Sequence, residues 1–177
     1  KAIVGGRGDK TASKTLNRAT DTTRQPGSTF KILAAYSAAL DAGGLTLASV
    51  QDDAPYTYAG ANGKSVNNYD RRYRGFTTLR EAITDSINIV TVKTLAQAGV
   101  SLGWQYVQEY GFTTVDSRDM NEALALGGIT QGVSNLELTA AYAAIANQGT
   151  YIKPKFYTKI LDHDGNVLID NTTPESH

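Results

Sequence analysis

Arg24-Gln25-Pro26-Gly27-Ser28-Thr29-Phe30-Lys31 is the stretch from which the rest of the sequence is read. Pro26-Gly27 punctuates the chain. From Ser28 to Ala42 apolar residues recur at helical spacing (Phe30, Leu33, Ala34, Ala38) until Gly43-Gly44 stops them. Ser28 therefore falls in the first turn of an Ala-rich helix, and Lys31, one turn on, shares its face. A helix N-terminus carries positive potential and unpaired N–H groups. Both suit a developing oxyanion and disfavour a protonated lysine. A serine hydroxyl becomes a nucleophile only when a base takes its proton. A lysine whose pKa is lowered by burial or by positive potential serves as that base without an imidazole. Taken alone, Ser-x-x-Lys is short and common, and a Ser cap beside a solvated Lys gives the same letters.

Composition removes the competing chemistries. The 177 residues are enough for one domain with its own core, and 41% hydrophobic with 19% charged residues fits a globular protein. Seventeen basic residues balance seventeen acidic ones, which gives no electrostatic case for nucleic acid. The run Arg71, Arg72, Arg74 reads as a solvated loop. There is no cysteine, hence no thiolate nucleophile or thiolate metal site. The two histidines, His163 in a turn and His177 at the last position, make a Ser-His-Asp hydrolase or a zinc site improbable. Gly127-Gly128-Ile129-Thr130-Gln131-Gly132 lacks the Lys-Ser/Thr of a phosphate loop. Arg7-Gly8-Asp9 matches an adhesion tripeptide that occurs freely by chance. No apolar run has bilayer-spanning length, and the abrupt opening Lys1-Ala2-Ile3-Val4-Gly5-Gly6 reads like the middle of a protein.

Working outward, Ala2–Val4 predicts a short strand, residues 7–27 a loop, and residues 45–76 irregular structure. Helices are predicted over Thr78–Asp85 (cap Thr77 or Thr78, with Glu81), Ile87–Ala98, Ser101–Tyr110 (cap Ser101) and Asn135–Asn147. Phe156–Ile169 alternates around His163-Asp164-Gly165-Asn166, a hairpin signal. The class is α+β. A second chemical candidate, Ser86-Ile87-Asn88, lies at the break between two helices. There a serine can relay a proton and an Asn amide can hold a substrate amide; the alternative is a local helix cap. Ser65-Val66-Asn67 has the same pattern in a Gly/Asn loop with no helical frame.

Together these residues resemble the penicillin-recognising serine transferases, and the surrounding sequence resembles the transpeptidase domain of class A penicillin-binding proteins. The likeness is carried by Asn17-Arg18-Ala19-Thr20, by Arg24 to Lys31, by Asn68-Tyr69-Asp70 with Tyr73-Arg74-Gly75, and by Thr78 to Ala82 with Ser86-Ile87-Asn88. It continues through Ala125 to Gly128, Gly132 to Leu138 and Ala141-Tyr142-Ala143. It implies a β-lactamase/transpeptidase-like α+β fold, mainly the helical part with an incomplete antiparallel sheet. It further implies Ser28 as the nucleophile acylated by the D-Ala-D-Ala end of a peptidoglycan stem peptide or by a β-lactam. Lys31 would be the base, Ser86 the proton relay and Asn88 the substrate-binding amide. No metal or organic cofactor is implied. The family's third motif, Lys-Thr/Ser-Gly, is missing, so residues 1–177 are expected to be a partial domain. An upstream glycosyltransferase domain, a membrane anchor and the C-terminal remainder would be absent. This piece is expected to be soluble and weakly active or inactive, to belong to the extracytoplasmic face of a bacterial membrane, and to self-associate through its sheet edge. The rival readings are a β-lactam sensor or hydrolase of the same fold and a non-catalytic interaction domain.

Overall fold

Phe30 and Leu33, both wholly buried, fix the axis around which the chain is organised. Burying each such side chain contributes on the order of 1.5–3 kcal/mol. The structure is a computed structural model that describes residues 6, 8–9, 11–59 and 63–177, so the strand expected at Ala2–Val4 lies outside the described residues. The first strand, β1 (Thr23–Arg24), leads into a 3-10 turn, Gly27–Thr29. A π-helical stretch follows at Ile32–Tyr36, and then α1 (Ser37–Asp41). The single regular helix expected from Ser28 to Ala42 is thus three helical geometries in series. The wide turn has a local cause: the Ile32 carbonyl accepts from both the Ser37 N–H and, at 2.8 Å, the Ser37 hydroxyl. That hydroxyl accepts in turn from Tyr110 at 3.1 Å.

Residues 45–76 are more ordered than their composition suggests. They form β2 (Val50–Asp53), β3 (Tyr56–Thr57), β4 (Ser65–Val66) and, reaching Thr78, β5 (Gly75–Thr78). α2 (Leu79–Thr84) follows under a Thr78–Glu81 capping box, as its sequence predicts. α3 spans Asn88–Ala98, with Ser86 at the break in the left-handed region, φ +54°. α4 is Val100–Glu109; it starts directly after Gly99 with no side-chain cap, so Ser101 is not the cap its type suggested. Gly103 lets α4 approach the central helix, because a Cβ there would lie 2.4 Å from the Ala34 carbonyl oxygen. Two 3-10 turns, Ser117–Asp119 and Glu122–Leu126, precede β6 (Val133–Ser134). α5 (Asn135–Ala146) begins under a Ser134–Glu137 capping box. The hairpin β7 (Lys159–Leu161) and β8 (Val167–Asp170) follows, and the C-terminal tail returns to bridge Ile152 with Ser176.

The strands make four separate two-stranded antiparallel ladders: β1–β6, β2–β5, β3–β4 and β7–β8. β1 pairs Thr23 with Ser134, which ties the approach to Ser28 to the start of α5. The main core gathers Leu33, Ala34, Ile89, Val92, Leu95, Val107, Leu124 and Ile129 around Phe30. Phe30 meets Phe112 edge-on, with centroids 5.1 Å apart. Because Phe30 lies between Ser28 and Lys31 in sequence, this packing sets how the Ser28 turn enters the helix.

Candidate active site

The break between α2 and α3 faces the central helix, and Lys31 fills it. Its side chain is buried, the residue being 3% exposed. The amine donates to the Ser86 carbonyl at 2.6 Å, to the Ser86 hydroxyl at 2.9 Å and to Asn88 Oδ1 at 2.6 Å. An ammonium has three protons, and here they have three acceptors. No carboxylate pairs with Lys31 among the described residues, so burial is not offset by an opposite charge. Burial lowers its pKa to about 8. At neutral pH roughly one molecule in ten then holds a neutral amine.

Ser86 contributes through its backbone as well as its hydroxyl. Non-glycine residues at positive φ cost about 1–3 kcal/mol and persist where their surroundings over-determine them. At φ +54° Ser86 turns its carbonyl and its hydroxyl onto the same amine. Because its oxygen accepts from Lys31, its own proton remains for another acceptor. Asn88, the first residue of α3, is held at both ends. Its Nδ2 donates to the Asn67 carbonyl at 2.7 Å and its N–H to Asn68 Oδ1 at 3.1 Å.

The structure therefore brings together Lys31, Ser86 and Asn88 from two segments 55 or more residues apart. Ser28 sits exposed in the 3-10 turn one turn before Lys31, and its hydroxyl makes no hydrogen bond among the described residues. Bonds to a nucleophile often tighten only when substrate is bound. Neither histidine contributes: His163 is exposed in the β7–β8 turn, and His177 contacts the Glu109 carbonyl.

Three parts of the site were not assigned a role from sequence. The Gly127–Gly132 segment buttresses the serine turn. Gly127 has φ +72°, and a Cβ there would lie 2.5 Å from the Gly27 carbonyl oxygen and 2.7 Å from the Gly27 nitrogen. Gln25 acts like a strand residue toward Ile129: its Oε1 accepts the Ile129 N–H at 3.0 Å and its Nε2 donates to the Ile129 carbonyl. From the α5 side, the Tyr142 hydroxyl donates to the Thr29 carbonyl at 2.6 Å. Arg74 is exposed, as expected of a solvated loop, and is bonded to Asp70 at 3.0 Å, with Asp53 3.9 Å away. Ser65-Val66-Asn67, the weaker Ser-x-Asn, is partly strand β4, and its Asn67 serves Asn88 rather than forming a second site.

Across the helix break a buried lysine without a carboxylate partner among the described residues thus meets a serine and an asparagine. The chain belongs to the family of the penicillin binding protein transpeptidase domain, whose model matches residues 2–177. It is 42% identical over 171 residues to penicillin-binding protein 1F of Bacillus subtilis, covering 97% of this chain and 23% of that protein. It is 36% identical over 183 residues to penicillin-binding protein 1A of Clostridium botulinum, covering 98% of this chain and 22% of that protein. The crystal structure of penicillin-binding protein 1A from Haemophilus influenzae superposes with a TM-score of 0.77 at 33% identity, over 91% of this chain and 24% of that one. The chain thus spans about a quarter of the length of these relatives. The fold is that of penicillin-binding protein transpeptidase domains, as the sequence resemblance implied.

Proposed function

We propose that this chain carries the acylation half-site of a serine D,D-transpeptidase that cross-links peptidoglycan stem peptides. The observation that carries the reading is the buried Lys31 amine, bonded to Ser86 and Asn88 and unpaired with any carboxylate among the described residues. In the proposed reaction neutral Lys31 takes the Ser28 proton as Ser28 Oγ attacks the carbonyl of the penultimate D-Ala. The Ser86 hydroxyl passes a proton from the Lys31 ammonium to the departing D-Ala amine, and an acyl-enzyme remains on Ser28. The amine of a neighbouring stem peptide then attacks that ester, gives up its proton through the same route and releases Ser28. The second Asn88 Nδ2 proton, beyond the one given to Asn67, serves the donor peptide's carbonyl. A β-lactam would stop at the ester, since it resembles the acyl donor. The PonA1 protein of Mycobacterium tuberculosis, solved in complex with penicillin V, shares this fold at 22% identity and a TM-score of 0.77.

A chain that carries out this reaction would work on the extracytoplasmic face of the bacterial membrane, where peptidoglycan is built. Among the described residues no helix is long and apolar enough to cross a membrane. The sequence contains no Lys-Thr/Ser-Gly tripeptide. In the family the strand that bears this motif supplies the second oxyanion N–H, and loss of one such donor costs about 100- to 1,000-fold in rate, so the 177 residues alone are expected to acylate slowly. Incubation with a fluorescent penicillin, followed by mass mapping, tests both statements. A slow adduct on Ser28 that vanishes in Ser28→Ala is expected. Labelling that survives Ser28→Ala sinks the reading, and fast stoichiometric labelling sinks the impairment alone.

A further inference from the structure

Helix α3 starts at Asn88, yet its N-cap residue, Ile87, supplies no side-chain cap. A helix start leaves N–H groups that need acceptors. Here they are met from 20 residues away. Asn68 Oδ1 accepts from the Asn88 N–H at 3.1 Å and from the Ile89 N–H at 3.2 Å. Asn68 is only 4% exposed, and its orientation is fixed from behind. Its Nδ2 donates to the two Asp53 carboxylate oxygens at 2.8 and 3.0 Å, and to the Arg72 carbonyl at 2.8 Å. Asp53 is wholly buried at the end of β2 and also accepts the Arg74 N–H at 2.9 Å. A carboxylate only accepts, so it obliges the Asn68 amide to turn its NH₂ inward and its oxygen toward α3.

The preceding residue completes the grip. The Asn67 carbonyl takes one Asn88 Nδ2 proton, which leaves Asn88 Oδ1 facing the Lys31 amine. Two consecutive residues thus hold Asn88 by its main chain and its side chain. Asn68 was assigned no part in the chemistry from sequence, and Asn67 entered there only through the weaker Ser-x-Asn.

We propose that Asn68, oriented by Asp53, is a positioning residue for acyl transfer: it fixes the start of α3 so that Asn88 meets Lys31 in one geometry. The proposal rests on the acyl-transfer reading above. Asn68 touches none of the reacting groups; it acts through Asn88. A displacement of about 1 Å in a reacting group costs about 100-fold in rate, which is the size of effect expected.

The test is an exchange of the two polar ends in the full-length protein. Asn68→Asp sets two carboxylates against each other where a donor met an acceptor. Adding Asp53→Asn restores one donor and one acceptor across the same contact, while the bond from position 68 to the Arg72 carbonyl stays lost in both variants. The rate constant for acylation by a fluorescent penicillin and the thermal midpoint are measured for wild type, Asn68→Asp, the double variant and Ser28→Ala. Asn68→Asp is expected to acylate about 100-fold more slowly, and the double variant to regain most of that loss. Wild-type acylation by Asn68→Asp overturns the proposal. So does a double variant that recovers its thermal midpoint but not its rate, because a purely structural contact behaves that way. If Asn68→Asp does not fold, the double variant decides alone: folded and fast supports the proposal, folded and slow overturns it. Wild-type protein with no adduct on Ser28 overturns the acyl-transfer reading itself, a result distinct from all of these.

Discussion

Around Lys31 every polar side-chain atom that is buried has a partner, whereas every residue of β7 and β8 is exposed on both faces of its ladder. The first region is drawn from four distant parts of the sequence: Lys31, Asp53, Asn67-Asn68 and Ser86–Asn88. The second is local, closed by a turn at Gly165 with φ +86°. Buried polar networks are costly unless fully satisfied, so the first region tolerates little change. An exposed ladder loses little when a side chain is altered. Chemistry that depends on one geometry belongs in the first region, and changes placed in the two should differ in size accordingly.

The largest difference is expected from Lys31→Met, which keeps length and apolar volume but removes the base. Loss of a general base costs about 100- to 10,000-fold, read as the rate of penicillin acylation. The pH dependence adds a sign. Lys31 titrates at about 8, below its ordinary 10.5, so wild-type acylation should rise as pH climbs through about 8 and the amine loses its proton. Stability follows the same group. Between about 8 and 10.5 the unfolded chain binds the extra proton, so the unfolding free energy should rise across that window. The rise is at most about 3 kcal/mol, and below it both states are protonated. Lys31→Met should lack the kinetic limb and this part of the stability rise. Retention of the limb in the variant would show that another group is the base.

Gly127→Ala comes next. Its Cβ would collide with the Gly27 backbone, at 2.5 Å from the carbonyl oxygen, and φ +72° strains any other residue there. The Ser28 turn must shift to make room. Acylation is expected to fall about 10- to 100-fold, and urea unfolding to show a loss of about 1–3 kcal/mol. Normal acylation by a folded Gly127→Ala protein would break the link drawn between the glycine segment and the serine turn.

The same contrast explains what the sequence made legible. Lys31, Ser86 and Asn88, which the structure brings together, could be picked out because they sit at fixed offsets from helix signals, Pro26-Gly27 before one helix and the break after Asp85 before another. Thr78 with Glu81 and Ser134 with Glu137 are local pairs, and local pairs are read directly. The hairpin turn is read from Gly165 for the same reason. β2 to β5 were missed because each is two to four residues long and draws its pairing from across a loop. Ser101 misled because a good cap residue lay one position inside a helix that Gly99 had already begun. Asp53 and Asn68 were hidden more deeply. Nothing near either residue in sequence says that they meet, or that Asn68 caps a helix beginning at Asn88. The π-helical turn at Ile32–Tyr36 rests on a local bond from Ser37 to the Ile32 carbonyl, which Tyr110 supports from α4's end.

The smallest effect is expected from Leu168→Asp, in β8. Leu168 is 64% exposed, and Ile160, Leu161, Val167 and Ile169 beside it in the ladder are also exposed. A charge there meets no buried neighbour, so stability should change by no more than about 0.5 kcal/mol and penicillin acylation should match wild type. What the charge should alter is association. An apolar ladder with open edges is a template for pairing with another chain, and a charged residue on it disfavours that pairing. Sedimentation velocity of the 177-residue chain is therefore expected to show less self-association in Leu168→Asp than in wild type. A loss of acylation in that variant would show that the hairpin and the Lys31 region are coupled, and the separation between them would have to be abandoned.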